Sequence, residues 1–341
     1  MGGARSTRAP GGEGGERGGA AIGESIGEFE LIRRFFDRGP ARRVELGIGD
    51  DCALIAPRAG HVLAVSTDML VCGRHFLADV DPRQLGHKTL AVNLSDLAAM
   101  GAEPLAFTLA IALPRVDVKW LEGFSAGLFA IADRHRCELV GGDTTAGPLN
   151  LSITVFGELP AGVALRRDRA EPGDDLWVSG EIGGAAYALR RRLAGQPLAP
   201  GHPSAVRLHS PEPRVALGVA LRHLARAAID LSDGLFGDLG HICERSRVGA
   251  EIALAELPVA EVLGEPPYPI DTMRSVLSEG DDYELLFTAA PENRAAIEAL
   301  AAPLRLPLTR IGAITAGDGI RLRDARGAPV HIDARGFDHF A

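Results

Sequence analysis

The sequence predicts a two-domain protein of the α/β or α+β class. Its 341 residues exceed what a single hydrophobic core of ordinary size organises. Short apolar runs alternate with amphipathic stretches, the pattern of strands that alternate with helices. After residues 160–175 a second series of such elements begins. We therefore expect an N-terminal domain at residues 27–160 and a C-terminal domain at residues 161–341, with a cleft between them.

The N-terminal half contains three strand patterns and two helix patterns. Asp81 can cap the first helix, Pro82 suits its first turn and Gly101 can end it. Residues 1–26 are Gly-rich, lack the apolar segment of a signal peptide, and are predicted to be a disordered tail. The predicted strands are 61–70, 137–145 and 149–159, and the predicted helices are 81–101 and 117–136.

The C-terminal half repeats the theme of an apolar strand that leads into a polar turn. Residues 176–193 predict a strand, a glycine loop and a helix, and residues 227–246 begin with a strand that delivers Ser and Asp into a turn. The Pro- and Gly-rich stretch at 197–213 predicts a loop.

Composition excludes several classes of protein. No apolar run approaches the roughly 20 residues of a membrane span, and the net charge of −9 argues against a nucleic-acid surface. Neither lysine, Lys88 or Lys119, lies in a P-loop, and no stretch completes the G-x-G-x-x-G dinucleotide motif. The four cysteines stand singly, which indicates small buried side chains in a reducing cytoplasm rather than disulfides or zinc ligands.

Acidic residues recur at the ends of the predicted strands. Asp96 is a further acid, inside the first helix, where it shares a face with Asn93 and Thr89. Each acid alone could be a turn or capping residue, and Asp96 could be a core carboxylate satisfied by the backbone or an arginine. Their recurrence at strand ends, where ligands of α/β sheets gather, favours a common site. The other stretches that end in Asp beside Gly, Ser or Thr are 47–53, 65–68, 139–145 and 229–234.

Carboxylates that converge need a counter-charge. Two unit charges about 4 Å apart repel by roughly 4 kcal/mol at an effective dielectric of 20, so such a cluster must protonate, pair with arginine or bind metal. Oxygen ligands without His or Cys favour Mg²⁺, Mn²⁺ or Ca²⁺ over zinc, and Mg²⁺ commonly completes its shell with substrate phosphates. Glycine turns at Gly141-Gly142 and Gly183-Gly184 would let backbone N–H groups approach phosphate oxygens. The pattern therefore indicates polyphosphate chemistry.

Motifs from about residue 27 to the last residue resemble those of the thiamine-monophosphate kinase family. In order, they are "VELGIGDDCALI", "STDMLVCGRHF", "KTLAVNLSDLAAMGAEP", "VGGDTT", "AIDLSDGLFGDLGHI", "EGDDYELLF" and "GFDHF". The resemblance implies an aminoimidazole-ribonucleotide-synthetase-like fold, with an N-terminal α/β domain that forms the dimer sheet and a C-terminal α+β domain. It also implies a homodimer that transfers the γ-phosphoryl group of ATP to thiamine monophosphate, the last step of thiamine diphosphate biosynthesis, with several Mg²⁺ ions and often K⁺.

The resemblance also implies roles for individual residues. Because the acceptor is itself a phosphate, no acid–base residue is expected, and the transfer is expected to be direct. Asp281 stands where relatives usually have Glu, so this acid is one methylene shorter. The residues implied for metal are Asp51, Ser66, Thr67, Asp68, Asp96, Asp143, Asp230 and Asp233; those for nucleotide are Gly142, Asp143, Arg167 and Ser232; those for thiamine phosphate are His75, Asp281 and Phe337.

Three other functions stay open at the level of sequence. One is another ATP-using enzyme of the same fold, such as aminoimidazole ribonucleotide synthetase or selenophosphate synthetase; the latter needs a Cys or selenocysteine with Lys in its N-terminal segment, which has neither here. The second is a metal-dependent phosphohydrolase without an acceptor, and the third is a non-catalytic module that binds Ca²⁺. ADP formation with and without thiamine monophosphate, and calorimetry with Mg·ATP against Ca²⁺, separate them.

Overall fold

The computed structural model describes residues 27–337, which form two sheets with helices packed on them. The predicted tail at residues 1–26 lies outside the described residues. The strands are β1 (His61–Val71), β2 (Glu103–Leu113), β3 (Glu138–Ala146), β4 (Asn150–Pro160), β5 (Asp175–Ser179), β6 (Ala227–Asp230), β7 (Gly249–Ala253), β8 (Leu285–Ala289), β9 (Leu308–Thr315), β10 (Ile320–Arg323) and β11 (Pro329–Val330). The helices are α1 (Glu28–Phe35), α2 (Pro82–Ala99), α3 (Val118–His135), α4 (Gly184–Leu193), α5 (Pro203–His209), α6 (Val215–Leu221), α7 (Leu235–Ser246), α8 (Ile270–Ser278), α9 (Arg294–Glu298) and α10 (Ala301–Leu304).

The N-terminal sheet is mixed and has four strands in the order β1-β4-β2-β3. Strand β4 is antiparallel to both of its neighbours, β1 and β2, and β3 runs parallel to β2. Helices α2 and α3 cover one face through a continuous core that includes Leu90, Leu94, Phe124 and Leu128. This burial removes apolar surface from water and fixes α2 directly above β1 and β4.

The other face of the N-terminal sheet is open. Along β1, Val65 and Met69 are 57% and 54% exposed, while the alternate residues Ser66 and Asp68 face α2. Side chains of a strand alternate between faces, so Thr67 also lies on the open face, where its hydroxyl shares a 2.8 Å hydrogen bond with Thr154 of β4. An exposed apolar sheet face of this kind is typical of an interaction surface.

The C-terminal sheet has seven strands in the order β11-β10-β7-β9-β5-β8-β6. Trp177 of β5 stacks on Phe287 of β8 at 6.2 Å between ring centroids, in the core that the two domains share. Helix α6 approaches α2 closely: a Cβ atom on Gly218 would lie 2.0 Å from the carbonyl oxygen of Ala98, so only glycine permits this contact. The domains are therefore packed against each other beside α2.

Most of the predicted elements are confirmed. Asp81 caps α2 by accepting a 2.7 Å hydrogen bond from the Arg83 N–H. The prediction of a loop at 197–213 is wrong in part, because α5 forms within it. His202 accepts from the Ser204 N–H, Pro203 occupies the first turn, where its missing N–H costs nothing, and Leu208 is buried. Within the described residues, every helix is too short or too polar to cross a membrane.

Candidate active site

Acidic side chains from both domains meet where β1, α2, β6 and α7 come together. We call this group the acid cluster. Asp68 lies on β1 and Asp96 on the α2 face above it, while β6 ends at Asp230 and the following turn carries Asp233. The fifth member is Asp238 in the first turn of α7, whose carboxylate accepts from the Asp233 N–H at 3.2 Å. The charges of these carboxylates act on one another's pKa values, as expected of neighbours.

The polar stripe of α2 is fixed to β1 by hydrogen bonds. The Ser66 hydroxyl donates to Asp96 Oδ2 at 2.5 Å, and the Asp68 N–H donates to Asn93 Oδ1 at 3.1 Å. Asn93 in turn donates to the Thr89 carbonyl oxygen within the helix. The shared face that the sequence predicted for Asn93 and Asp96 therefore exists, and it orients two acids of the cluster.

Burial and like charge raise the pKa values of the cluster. Burial, then the charges of Asp96 and Asp233, raise the pKa of Asp68 to about 6. Burial, then chiefly the Asp96 charge, raises the pKa of Asp230 to about 7, and burial, with the charges of Asp230 and Asp233, raises that of Asp238 to about 8. The negative charge of each carboxylate makes ionisation of its neighbours less favourable, so the site favours an added positive charge.

Arg167 balances part of the negative charge of the acid cluster. Burial raises the pKa of Asp96, while the hydrogen bond from Ser66 and the positive charge of Arg167 oppose the rise. The Arg167 charge likewise opposes the rise in the pKa values of Asp230 and Asp238. The Arg167 guanidinium thus acts on three of the five carboxylates.

The cluster suits a hard divalent cation in its donor chemistry. Its members are buried or half-buried oxygen ligands without His or Cys, which is the set that Mg²⁺ prefers. Among residues 27–337, no three acidic, His or Cys side chains lie close enough together to enclose one ion as they stand. Burial and the repulsion between these carboxylates nevertheless raise their pKa values, so added positive charge would stabilise their ionised forms.

A pocket of about 570 Å³ opens beside the cluster, between the domains. Its walls come from β1, the end of α2, the linker after β4, and α7; they include Ser66, Asp96, Arg167, His241 and Arg245. This volume lies in the range of small-molecule sites, and the mixture of arginine with apolar surface suits a nucleotide. Asp238, His241 and Arg245 were missed by the sequence interpretation, because on α7 they look like ordinary helix-surface residues.

Two of the predicted acids lie elsewhere. Asp51 and Asp143 line a separate pocket of about 160 Å³ beside β3, together with Gly142. Gly142 has φ +147, and a Cβ atom there would lie 1.9 Å from the Leu109 carbonyl oxygen, so glycine is required. Since β3 and β1 are opposite edges of the sheet, three strand spacings of about 4.8 Å, roughly 14 Å, separate Asp143 from Asp68.

The segment 280–284 lies on the other side of the acid cluster. Asp281 has φ 71 and Tyr283 has φ 50, both left-handed. The Asp281 N–H donates to the Ser232 carbonyl oxygen at 3.0 Å, which joins this segment to the turn that carries Asp233. The Asp281 carboxylate receives Lys88 Nζ at 2.9 Å and the Tyr283 hydroxyl at 3.1 Å. Lys88 was not among the predicted site residues.

The remaining predicted residues lie near the same turn. The Phe337 N–H donates to the Asp233 carbonyl oxygen at 3.0 Å, and the Arg74 guanidinium lies 4.9 Å from the centroid of the Phe337 ring. His75 Nδ1 accepts from the Val71 N–H at 3.0 Å. The Gly183 N–H, predicted as a phosphate donor, instead donates to the buried Asp282 carboxylate.

Comparisons with known proteins identify the group to which these features belong. The family model described as AIR synthase related protein, N-terminal domain, matches residues 49–159, and that of the C-terminal domain matches residues 171–325. A thiamine-monophosphate kinase of Escherichia coli strain K12 is 48% identical over 324 residues, which cover 93% of this chain and 99% of that protein.

Solved structures agree in fold. The crystal structure of thiamine-monophosphate kinase from Stenotrophomonas maltophilia K279a matches with a TM-score of 0.78 at 48% identity, over 86% of this chain and 94% of that one. The structure of AaThiL complexed with AMPPCP and TMP matches with a TM-score of 0.72 at 29% identity, over 92% of this chain and 97% of that one.

Proposed function

This chain belongs to the thiamine-monophosphate kinase family, and from that premise we propose that it uses ATP to phosphorylate thiamine monophosphate to thiamine diphosphate. The observation that carries the proposal is the acid cluster, in which both domains contribute carboxylates with raised pKa values next to a pocket of nucleotide size. A purely structural role gives no reason to gather several buried acids side by side, because their mutual repulsion opposes folding.

The acids of the cluster would hold Mg²⁺ ions between two phosphate groups. Ser66 keeps Asp96 oriented, and Asn93 fixes the backbone of Asp68. Bound Mg²⁺ would neutralise the two polyanions and stabilise charge at the phosphoryl group in transfer. Because the family resemblance implies that K⁺ often accompanies Mg²⁺, activity is measured with and without K⁺.

Arg167 would bind the nucleotide phosphates from the linker side of the 570 Å³ pocket. Its charge already acts on Asp96, Asp230 and Asp238, so a phosphate between them would be held by arginine on one side and by metal on the other. His75, Asp281 and Phe337 would contact thiamine monophosphate at the opposite side of the turn at Asp233. The acceptor phosphate is largely an anion at neutral pH, with a second pKa near 6, so the chain need not remove a proton from it.

We also propose a homodimer formed through the open face of the N-terminal sheet. Val65 and Met69 would become buried there. Asp143 lies on the same face of the sheet, because Asp143, Ala110, Ser152 and Met69 are paired directly across the four strands. The acids at β3 would then lie at the interface rather than at an isolated edge. Light scattering should give twice the chain mass, and Val65→Glu should yield a monomer; a monomeric wild type would contradict the dimer. The four free cysteines favour the cytoplasm as its compartment.

The test of function is an assay of the purified protein with Mg·ATP and thiamine monophosphate, in which both ADP and thiamine diphosphate are measured. We expect equal amounts of the two products, and ADP formation that depends on the acceptor. ADP released at the same rate without acceptor would instead indicate a phosphohydrolase. Asp96→Asn keeps the size of the side chain and removes its charge; turnover should fall severely while the thermal unfolding curve keeps its shape.

A further inference from the structure

The use of lysine in this chain singles out one position. Of 36 lysine and arginine residues, only Lys88 and Lys119 are lysines. Lys119 is exposed on α3, whereas Lys88 on α2 is 4% exposed. Elsewhere arginine forms the buried ion pairs, as at Arg214 with Glu284. A buried lysine in such a chain marks a place that needs a compact ammonium on a flexible stem rather than a planar guanidinium.

The partner of Lys88 is held in an unusual way. Asp281 has a left-handed backbone, which non-glycine residues adopt at a cost, and the next residue but one, Tyr283, does so too. A Cβ atom on Gly280 would lie 1.7 Å from the Ser232 carbonyl oxygen, so the segment is pressed against the turn after β6. The backbone is thus fixed so that Asp281 meets Lys88 across 193 residues of sequence.

This ion pair borders both the acid cluster and the solvent. Burial first, then the charges of Asp281, Asp68 and Asp230, raises the pKa of Tyr283 well above its usual value. The Tyr283 hydroxyl donates to Asp281 at 3.1 Å and its N–H donates to the Leu231 carbonyl oxygen at 2.8 Å, next to Asp230, so Tyr283 lies beside both the pair and the cluster. The side chain of Asp281 is 28% exposed, so the pair is open to a ligand on one side.

We propose that the Lys88–Asp281 pair recognises both charges of the acceptor, an inference that rests on the proposed function. Thiamine monophosphate carries a phosphate monoester and a cationic thiazolium ring. The Lys88 ammonium exchanges Asp281 for the acceptor phosphate, and the Asp281 carboxylate, still bonded to Tyr283, then faces the cationic ring. One internal ion pair is replaced by two with the ligand.

This exchange gives specificity, because a ligand with only one of the charges leaves its counterpart unpaired. Thiamine leaves Lys88 without an anion, and inorganic phosphate leaves Asp281 without a cation; each unpaired charge in a half-buried site opposes binding. Arginine at position 88 would hold Asp281 through two parallel hydrogen bonds and release it less readily.

The experiment compares Lys88→Met with Lys119→Met, which removes the exposed lysine as a matched control. We expect Lys88→Met to raise the KM for thiamine monophosphate by about tenfold or more, as the loss of one charge-assisted hydrogen bond implies. The KM for ATP should stay within about twofold, and Lys119→Met should match the wild type. An unchanged KM for thiamine monophosphate, or an equal rise for both substrates, would overturn the proposal.

Calorimetry separates this inference from the proposed function because it needs no turnover. Wild type should bind thiamine monophosphate more tightly than thiamine, and Lys88→Met should lose that preference. Should Lys88→Met not fold, Lys88→Arg keeps the charge and is expected to fold and to bind thiamine monophosphate weakly. Wild-type affinity in Lys88→Arg, or a preference kept in Lys88→Met, would refute the exchange, whereas a wild type that binds thiamine monophosphate without forming thiamine diphosphate would refute only the proposed function.

Discussion

Two buried carboxylates on neighbouring strands have opposite environments. Glu284, just before β8, is fully buried and accepts hydrogen bonds from Ser179, Arg207 and Arg214. Asp230 ends β6, opposite Leu285, and its charged neighbours are mainly other carboxylates. The first acid is balanced by the protein itself. Burial and neighbouring carboxylates raise the pKa of the second to about 7, as expected of an acid that binds a positively charged ligand, the role proposed for it above.

Glu284→Gln should give the largest loss of stability. The substitution neutralises a fully buried carboxylate that pairs with two half-buried guanidiniums; Arg214 loses this partner, whereas Arg207 keeps its ion pair with Glu181. Breaking a buried ion pair by removing one partner costs about 3–5 kcal/mol. Urea denaturation of the purified variant measures this change in the free energy of unfolding. A loss under about 1 kcal/mol would mean that Glu284 is not the structural acid that its contacts indicate.

Asp230→Asn should have the opposite profile. Without metal, the variant should be as stable as the wild type or more so, because the substitution removes a buried charge beside Asp96 and Asp68. Turnover should fall by about 100-fold or more, since metal-assisted stabilisation of phosphoryl transfer is worth several kcal/mol. Kinetics and urea denaturation are measured on the same preparation. If Asp230→Asn lowered the free energy of unfolding as much as Glu284→Gln, the proposed difference between the two acids would be wrong.

Much of the acid cluster around Asp230 could be predicted from the sequence, but little of the ion-pair network around Glu284. Asp96, Asn93 and Asp230 were identified because helix spacing and strand-end positions are local properties of the chain. Asp238 was missed, since an acid in the first turn of a helix is common for reasons of the helix dipole alone.

Partners that are distant in sequence were not predictable at all. The Arg214–Glu284 contact spans 70 residues and the Lys88–Asp281 contact spans 193, and both depend on which strands become neighbours. The separation of Asp143 from Asp68 has the same origin. Each follows a strand pattern, but only the order β1-β4-β2-β3 places them at opposite edges.

The pH dependence of metal-free stability should have the sign that the acid cluster dictates. An ordinary Asp has a pKa of 3.8, and the folded protein raises those of Asp68, Asp230 and Asp238 to about 6, 7 and 8. Between these values the folded state retains protons that the unfolded chain has released, so stability falls as pH rises from 3.8 towards 8. If Mg²⁺ binds the ionised cluster as proposed, it should raise the melting temperature more at pH 8 than at pH 5. Thermal unfolding in EDTA and in Mg²⁺ measures both effects, and an equal Mg²⁺ effect at the two pH values would contradict them.

Asp133→Asn should change stability least of these variants. It tests whether ion pairing itself, or the burial of the pair, makes Glu284 important for stability. Asp133 pairs with Arg38 at 2.7 Å, but the side chains are 62% and 52% exposed. Water solvates both charges whether or not the pair forms, so its loss should change the free energy of unfolding by less than about 0.5 kcal/mol. Activity should be unchanged. If the loss of this exposed pair cost as much as Glu284→Gln, pairing alone would explain the stability of the buried acid. If it costs much less, the cost at Glu284 comes from breaking an ion pair whose carboxylate is shielded from water.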